Sequence, residues 1–223
     1  MTQWNLPTLL DHTVLRPEAT KADVLRLYQE AKDLGFVVIF VPPCYVDEAV
    51  AATAGSVVRV GIPIGFPLGG HTTRAKVAEA TEAVARGAQI LDMVINVSRL
   101  KSGDQAYVRQ DIAEVVRATP SVEHKVILET CLLTQQEKIT ACHLVVEAGA
   151  DYVKTSTGFA AAGARVEDVR LMKQTVAGKA KVKASGGIRD WKTTLAMLEA
   201  GADRIGTSAS LKILEEWKAQ GNR

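Results

Sequence analysis

The stretch Asp151-Tyr-Val-Lys-Thr-Ser-Thr-Gly158 places a lysine inside an apolar, β-branched run that ends in hydroxyls and a glycine. Lysine is among the residues least often fully buried. Burial disfavours its ammonium form, and a neutral amine can attack a carbonyl to form a Schiff base. Taken alone, Lys154 reads equally well as a solvent-facing residue of an edge strand. A second lysine, Lys183, stands in Lys181-Val-Lys-Ala-Ser-Gly-Gly187. Lys181 shares its strand face and is expected at the outer, solvated start, with Lys183 deeper and beside Lys154. A neighbouring cation lowers an amine's pKa, as desolvation does. Asp92 supplies a carboxylate in a third apolar run, Leu91-Asp92-Met93-Val94. Two lysines and a carboxylate that converge suit covalent catalysis by an amine. The competing reading is a buried structural ion pair, which is costly unless its geometry is good.

Eight apolar runs could carry these groups: Leu9–Leu15, Phe36–Val41, Val57–Gly65, Ile90–Val97, His124–Glu129, Tyr152–Thr157, Val182–Ala184 and Arg204–Thr207. Helical periodicity fills intervening segments such as Ala19–Leu34, Thr73–Arg86, Thr134–Glu147 and Trp191–Ala200. Strands alternating with helices predict βαβ units and a parallel sheet. Eight of them predict a closed (β/α)8 TIM barrel, an α/β fold that often runs to this length as one domain, here residues 1–223. A weak repeat supports this: Leu34-Gly35-Phe36, Arg86-Gly87-Ala88, Ala148-Gly149-Ala150 and Ala200-Gly201-Ala202. Each glycine follows a helical pattern and can close it in the left-handed conformation. Successive glycines lie about two βα units of roughly 30 residues apart, so they mark every second strand. Five positions beyond them stand Phe40, Asp92, Lys154 and Gly206. Alternate barrel strands fill one interior layer, which predicts Asp92 and Lys154 at one height, room at Gly206 and a wall at Phe40.

Three glycine-bearing strand ends follow: Ser156-Thr157-Gly158, Ser185-Gly186-Gly187 and Gly206-Thr207-Ser208. Glycines permit close backbone approach, and N–H groups at a following helix start favour an anion. Barrel enzymes often hold phosphate on the loops after strands seven and eight. Thr157, Gly158, Gly186, Gly187, Gly206 and Ser208 are therefore candidate contacts to a small phosphorylated substrate whose carbonyl end reaches Lys154.

Composition excludes several classes. The net charge is +2, and no basic stripe interleaved with aromatics suggests nucleic acid. No apolar run is long enough to span a membrane. The start, Met-Thr-Gln-Trp-Asn, lacks the basic and apolar regions of a signal peptide. Cys44, Cys131 and Cys142 are odd in number and lack metal-ligand spacing, as in a reduced, cytoplasmic protein.

With these residues in view, nearly the whole chain resembles the deoxyribose-phosphate aldolase family. The shared stretches are Leu10-Asp-His-Thr13, Gly65-Phe-Pro-Leu-Gly69, Leu91-Asp-Met-Val-Ile-Asn96, Lys125-Val-Ile-Leu-Glu-Thr130, Tyr152-Val-Lys-Thr-Ser-Thr-Gly-Phe159, Val182-Lys-Ala-Ser-Gly-Gly-Ile-Arg189 and Arg204-Ile-Gly-Thr-Ser208. The resemblance implies reversible cleavage of 2-deoxy-D-ribose 5-phosphate to D-glyceraldehyde 3-phosphate and acetaldehyde, with no metal and no cofactor. It implies Lys154 as the Schiff-base lysine, Lys183 as the lysine that lowers its pKa and moves protons, and Asp92 as a relay carboxylate working through water. It also implies a homodimer. The chain departs from some members at Phe159, where they carry lysine, and at Ala209, where they carry a second serine, which shifts anion binding toward backbone N–H groups. It also ends in Ala219-Gln-Gly-Asn-Arg223 without the tyrosine that some members have.

The remaining polar residues read mostly as support. Asp11 is expected to be buried and supporting. Glu129 reads either as buried support for the lysines or as an exposed strand end. His12, His71, His124 and His143 read as structural or surface residues, Cys44 as a strand-end thiol that could stand near substrate but is unreactive by default, and Trp191 and Trp217 as packing or interface residues. The charged run within Leu214–Lys218 reads as a solvated helix face. Two other functions remain open: a different phosphosugar barrel enzyme such as an epimerase or isomerase, and a non-catalytic phosphosugar-binding barrel. The first would need a metal cluster or a carboxylate/histidine pair, and neither is evident. The second has no use for two buried lysines.

Overall fold

The computed structural model describes residues 4–221. The readings that rest on Met1, Thr2, Gln3, Asn222 and Arg223 lie outside the described residues. In chain order the elements are α1 (Leu6–Leu9), β1 (Leu10–Thr13), α2 (Lys21–Leu34), β2 (Val38–Phe40), α3 (Val46–Thr53), β3 (Arg59–Ile64), α4 (Thr73–Ala85), β4 (Ile90–Val94), α5 (Val97–Lys101), α6 (Gln105–Ala118), β5 (Glu123–Ile127), α7 (Gln135–Glu147), β6 (Tyr152–Lys154), α8 (Val166–Val176), β7 (Lys181–Ser185), α9 (Trp191–Glu199), β8 (Arg204–Thr207) and α10 (Ser210–Ala219). The eight strands pair in parallel and in sequence order, and β8 pairs with β1 to close the barrel.

The helix starts follow from local chemistry. Thr20 and Thr134 each form a capping box, with Asp23 and Glu137 as the reciprocating carboxylates, which satisfies amide donors that the first turn leaves free. Gly35 closes α2 at φ 80° in the left-handed region, as the repeat predicts. Several strands are shorter than their apolar runs, and in two of them the cause is local. Ile90–Val97 stops at Val94 because the Asn96 side chain caps α5, accepting from Arg99 N at 3.1 Å. His124–Glu129 becomes Glu123–Ile127, and Glu129 turns the chain at φ 45°. Tyr152–Thr157 is strand only to Lys154, although Thr155 N still bonds Lys183 O of β7 at 3.1 Å. Val182–Ala184 extends to Lys181–Ser185.

The larger apolar core lies between strands and helices, where Ile39, Ile62, Leu91, Val126, Val153, Val182 and Ile205 are buried. A separate small cluster of Val38, Phe40 and Ile90 is joined by Val37. Beside Phe40, the strand phase brings a polar group together: Asp11, Asp92, Lys125, Lys154, Lys183 and Arg204 are all buried. Trp191 and Trp217 are buried against the main core, as expected of packing residues.

Candidate active site

The register sets the lysines side by side. Lys154 on β6 is the direct partner of Lys183 on β7, and Asp92 on β4 is the partner of Lys125 on β5. Asp92 is the hub. Its Oδ2 accepts from Lys154 Nζ at 2.7 Å and from Lys183 Nζ at 2.7 Å, and its Oδ1 lies 3.7 Å from Lys125 Nζ. Lys183 Nζ also lies 2.6 Å from Asp11 Oδ2, and Arg204 Nε donates to Asp11 Oδ1 at 2.7 Å. Lys125 finds a further carboxylate in Glu123, at 2.5 Å.

Four cations thus surround two fully buried carboxylates, with Glu123 at the margin. A surplus of buried positive charge is relieved by loss of a proton. Burial lowers the pKa of Lys154, and the charge of Lys183 lowers it further. Asp92 opposes both, and the net value is about 8. Burial also works against the Lys183 charge, but Asp11 and Asp92 outweigh it and raise the pKa above the ordinary lysine value. Lys125 is lowered, chiefly by burial. Burial would raise Asp92, but Lys154, Lys183 and Lys125 prevail and hold it at about 2. Asp11 is likewise held well below the usual carboxylate range by Lys183 and Arg204 against its burial. Two neighbouring lysines are therefore driven apart: one sheds its proton readily and the other keeps it.

A cavity of about 680 Å³ opens over this cluster and is lined by Phe40, Lys154, Lys183 and all six predicted substrate contacts, Thr157, Gly158, Gly186, Gly187, Gly206 and Ser208. Hydroxyl groups tie the three glycine-bearing loops together. Thr155 Oγ1 donates to Ser185 O at 3.0 Å, Ser185 Oγ to Ser156 O at 2.6 Å, and Thr207 Oγ1 to Ile188 O at 2.7 Å. Gly186 takes φ 85°, a conformation that favours glycine. A Cβ on Gly206 would stand 2.9 Å from Lys183 Cε, so its missing side chain makes room for that lysine as well as lining the cavity. Ala209 N donates to Thr207 Oγ1 at 2.9 Å, so this amide is already engaged. Phe159 is half exposed at the rim, edge-on to Phe66 at 5.2 Å.

One family model, the DeoC/LacD family aldolases, matches residues 4–216. The chain belongs to this aldolase family. The deoxyribose-phosphate aldolase of Caldanaerobacter subterraneus subsp. tengcongensis is 51% identical, over 97% of this chain and 95% of its own. That of Thermoanaerobacter pseudethanolicus is 54% identical, over 96% and 97%. Among solved structures, the aldolase QR15 superposes with a TM-score of 0.93 at 43% identity, covering 97% of each chain. The tetrameric deoxyribose phosphate aldolase from Aeropyrum pernix gives 0.90 at 34% identity, over 96% of this chain and 92% of the other.

Within this aldolase barrel, several residues have places that the sequence left open. Asp11 is buried, as expected, and its partners are Lys183 and Arg204. Glu129 is buried, but it supports the loop rather than the lysines: its Oε2 accepts from the backbone N and hydroxyl of Thr157. His12 is buried and pairs with Glu30 at 2.8 Å, while His71 and His143 are exposed. Lys125 and Arg204, both in stretches that resemble the family, join the buried cluster without a role that the sequence suggests. The apolar strand pattern around Lys125 resembles that around Lys154 and is a signal that could point to it. Arg16, Arg189 and Lys212 also line the cavity, together with Asp23 and Glu30, and Arg16 is paired with Asp23 at 2.6 Å. No helix among the described residues is long and apolar enough to cross a membrane.

Proposed function

We propose that this aldolase cleaves 2-deoxy-D-ribose 5-phosphate reversibly to D-glyceraldehyde 3-phosphate and acetaldehyde, through a Schiff base on Lys154. The observation that carries the reading is the Lys154 amine, lowered to about 8 on the floor of the cavity and bonded to Asp92 beside a charged Lys183. Neutral Lys154 attacks C1 of the open-chain aldehyde. Lys183 lends the proton with which the carbinolamine hydroxyl leaves as water. The resulting iminium draws electrons from the C2–C3 bond. That bond breaks as the C3 hydroxyl loses its proton, leaving an enamine on Lys154 and the C3 aldehyde. Asp92 takes that proton through one water. A carboxylate held at about 2 is a point of passage for a proton rather than a resting place. Protonation of the enamine at C2 and hydrolysis of the iminium release acetaldehyde and restore the amine.

The phosphate sits on the loops that carry Gly158, Gly186, Gly187 and Ser208, with Thr157 beside a substrate hydroxyl. The surplus positive charge of the site and Arg189 at its mouth favour a dianion. The reading takes the chain as one catalytic barrel domain, cytoplasmic, acting as a homodimer; light scattering on the purified protein tests the assembly.

Borohydride trapping tests the function. Incubation with acetaldehyde or deoxyribose 5-phosphate, reduction and digestion should place the added mass on the peptide that contains Lys154. Mass on Lys183 would exchange the two lysine roles. Turnover with no adduct would remove imine chemistry.

A further inference from the structure

An ammonium has three N–H donors. Lys183 Nζ donates to Asp92 Oδ2 at 2.7 Å and has a second carboxylate, Asp11 Oδ2, at ion-pair distance, 2.6 Å. The face of Phe40 also meets this ammonium, with its ring centroid 3.9 Å from Lys183 Nζ. The same ring is farther from Lys154 Nζ, at 5.6 Å, and from Lys125 Nζ, at 5.5 Å. Phe40 is buried, with 1% of its surface exposed. An aromatic face attracts a cation through its quadrupole, most strongly where both are removed from water.

The ring's position is built in by its neighbour. Phe40 pairs in register with Gly61 on β3, and a Cβ on Gly61 would stand 2.5 Å from the ring. A side chain there would displace the ring from the lysines.

We propose that the Phe40 ring is the third partner of the Lys183 ammonium, and that it is a positioning residue which keeps the positive charge on Lys183 rather than on Lys154. The other charged groups facing Lys183 are Asp11 on β1, Asp92 on β4, Lys125 on β5, Lys154 on β6 and Arg204 on β8. Asp11 and Asp92 draw the charge to Lys183, whereas the three cations oppose it. The ring adds to the carboxylates' side without adding a titratable group or a water. Because its distance to Lys183 is the shortest of the three, its effect is selective. The consequence for imine formation rests on the aldolase reading above, but the state of Lys183 does not.

The test replaces Phe40 with phenylalanines carrying one, two or three ring fluorines, which keep the shape and progressively weaken the quadrupole. Titration of lysine Nζ by 15N NMR between pH 6 and 12 reads Lys183 directly, with its resonance assigned by its loss in Lys183→Met. The pKa of Lys183 should fall stepwise with fluorine number, by about one pH unit at three fluorines. Phe40→Tyr should stay near the parent and Phe40→Leu should fall at least as far as the trifluoro form. An unchanged Lys183 across the fluorinated series would overturn the proposal, since a residue that only fills space is insensitive to fluorine. Borohydride trapping on the parent protein separates the two ideas. Absence of a Lys154 adduct there would count against the aldolase reading and leave the Lys183 titration as the measure of this one.

Discussion

At the residue scale, two lysines of the same type and similar burial have opposite protonation behaviour because their neighbours differ. Lys154 has one carboxylate partner, whereas Lys183 lies between two. Replacing Lys154 with leucine should therefore lower turnover by roughly 10³-fold or more, as loss of a covalent nucleophile does, measured as release of acetaldehyde. Lys183→Leu removes the cation that lowers Lys154. The acid limb of the imine-formation profile, set in the parent by an amine at about 8, should move to higher pH. Trapping at neutral pH should become slower. An acid limb at the parent position would contradict the assignment of Lys183 as the perturbing charge.

At the scale of elements, the site depends on three loops fitted against each other with almost no spare room. A Cβ on Gly163 would stand 2.1 Å from Gly186 O, and Ala164 N bonds that same carbonyl at 3.0 Å. Gly163→Ala must therefore displace the loop after β6 from the loop after β7. The expected result is a KM for deoxyribose 5-phosphate raised about tenfold, a loss of the size of a displaced charge-assisted contact. Unphosphorylated deoxyribose should be nearly unaffected. An equal effect on both sugars would mean that these loops do not carry the phosphate. The alternation of strand and helix, and the glycines that close the helix before every second strand, were legible in residue order because turns and caps are local. The ends of the strands were less so. Asn96 and Glu129 shorten β4 and β5 through a cap and a left-handed turn, and an apolar run does not reveal either.

At the scale of the whole molecule, the site works against stability. In the unfolded chain the Lys154 amine has its ordinary value of 10.5, and in the folded protein about 8. Below the lower value both states bind the proton, and folding bears the full cost of burying it. Between the two values only the unfolded chain holds it, so stability rises with pH until the cost is gone. A lowering of this size corresponds to about 3 kcal/mol. Lys154→Met should therefore unfold at a higher temperature than the parent at pH 7, by about 5 °C or more, and the gap should close between pH 8 and 10.5. Calorimetry across that range measures both features. Asp92 acts in the opposite sense. Its carboxylate is held at about 2 against an ordinary 3.8, so its contribution is complete above the ordinary value and disappears as pH falls toward the lower one.

Residue order alone carried the eight strands, the alternating layer of Phe40, Asp92, Lys154 and Gly206, and the six residues at strand ends and loops that line the cavity. These features arise from periodicity and turn chemistry, which act over a few residues or repeat along the chain. Which cation meets which carboxylate was a different matter. Asp11 and Arg204 are 193 positions apart and meet only because β8 closes on β1. Lys125 enters the interior cluster only through the register of β5 on β4. The face of Phe40 reaches Lys183 only because Gly61 lacks a side chain. Charge balance in a buried layer depends on distances between strands remote in sequence, and those distances exist only once the barrel has closed.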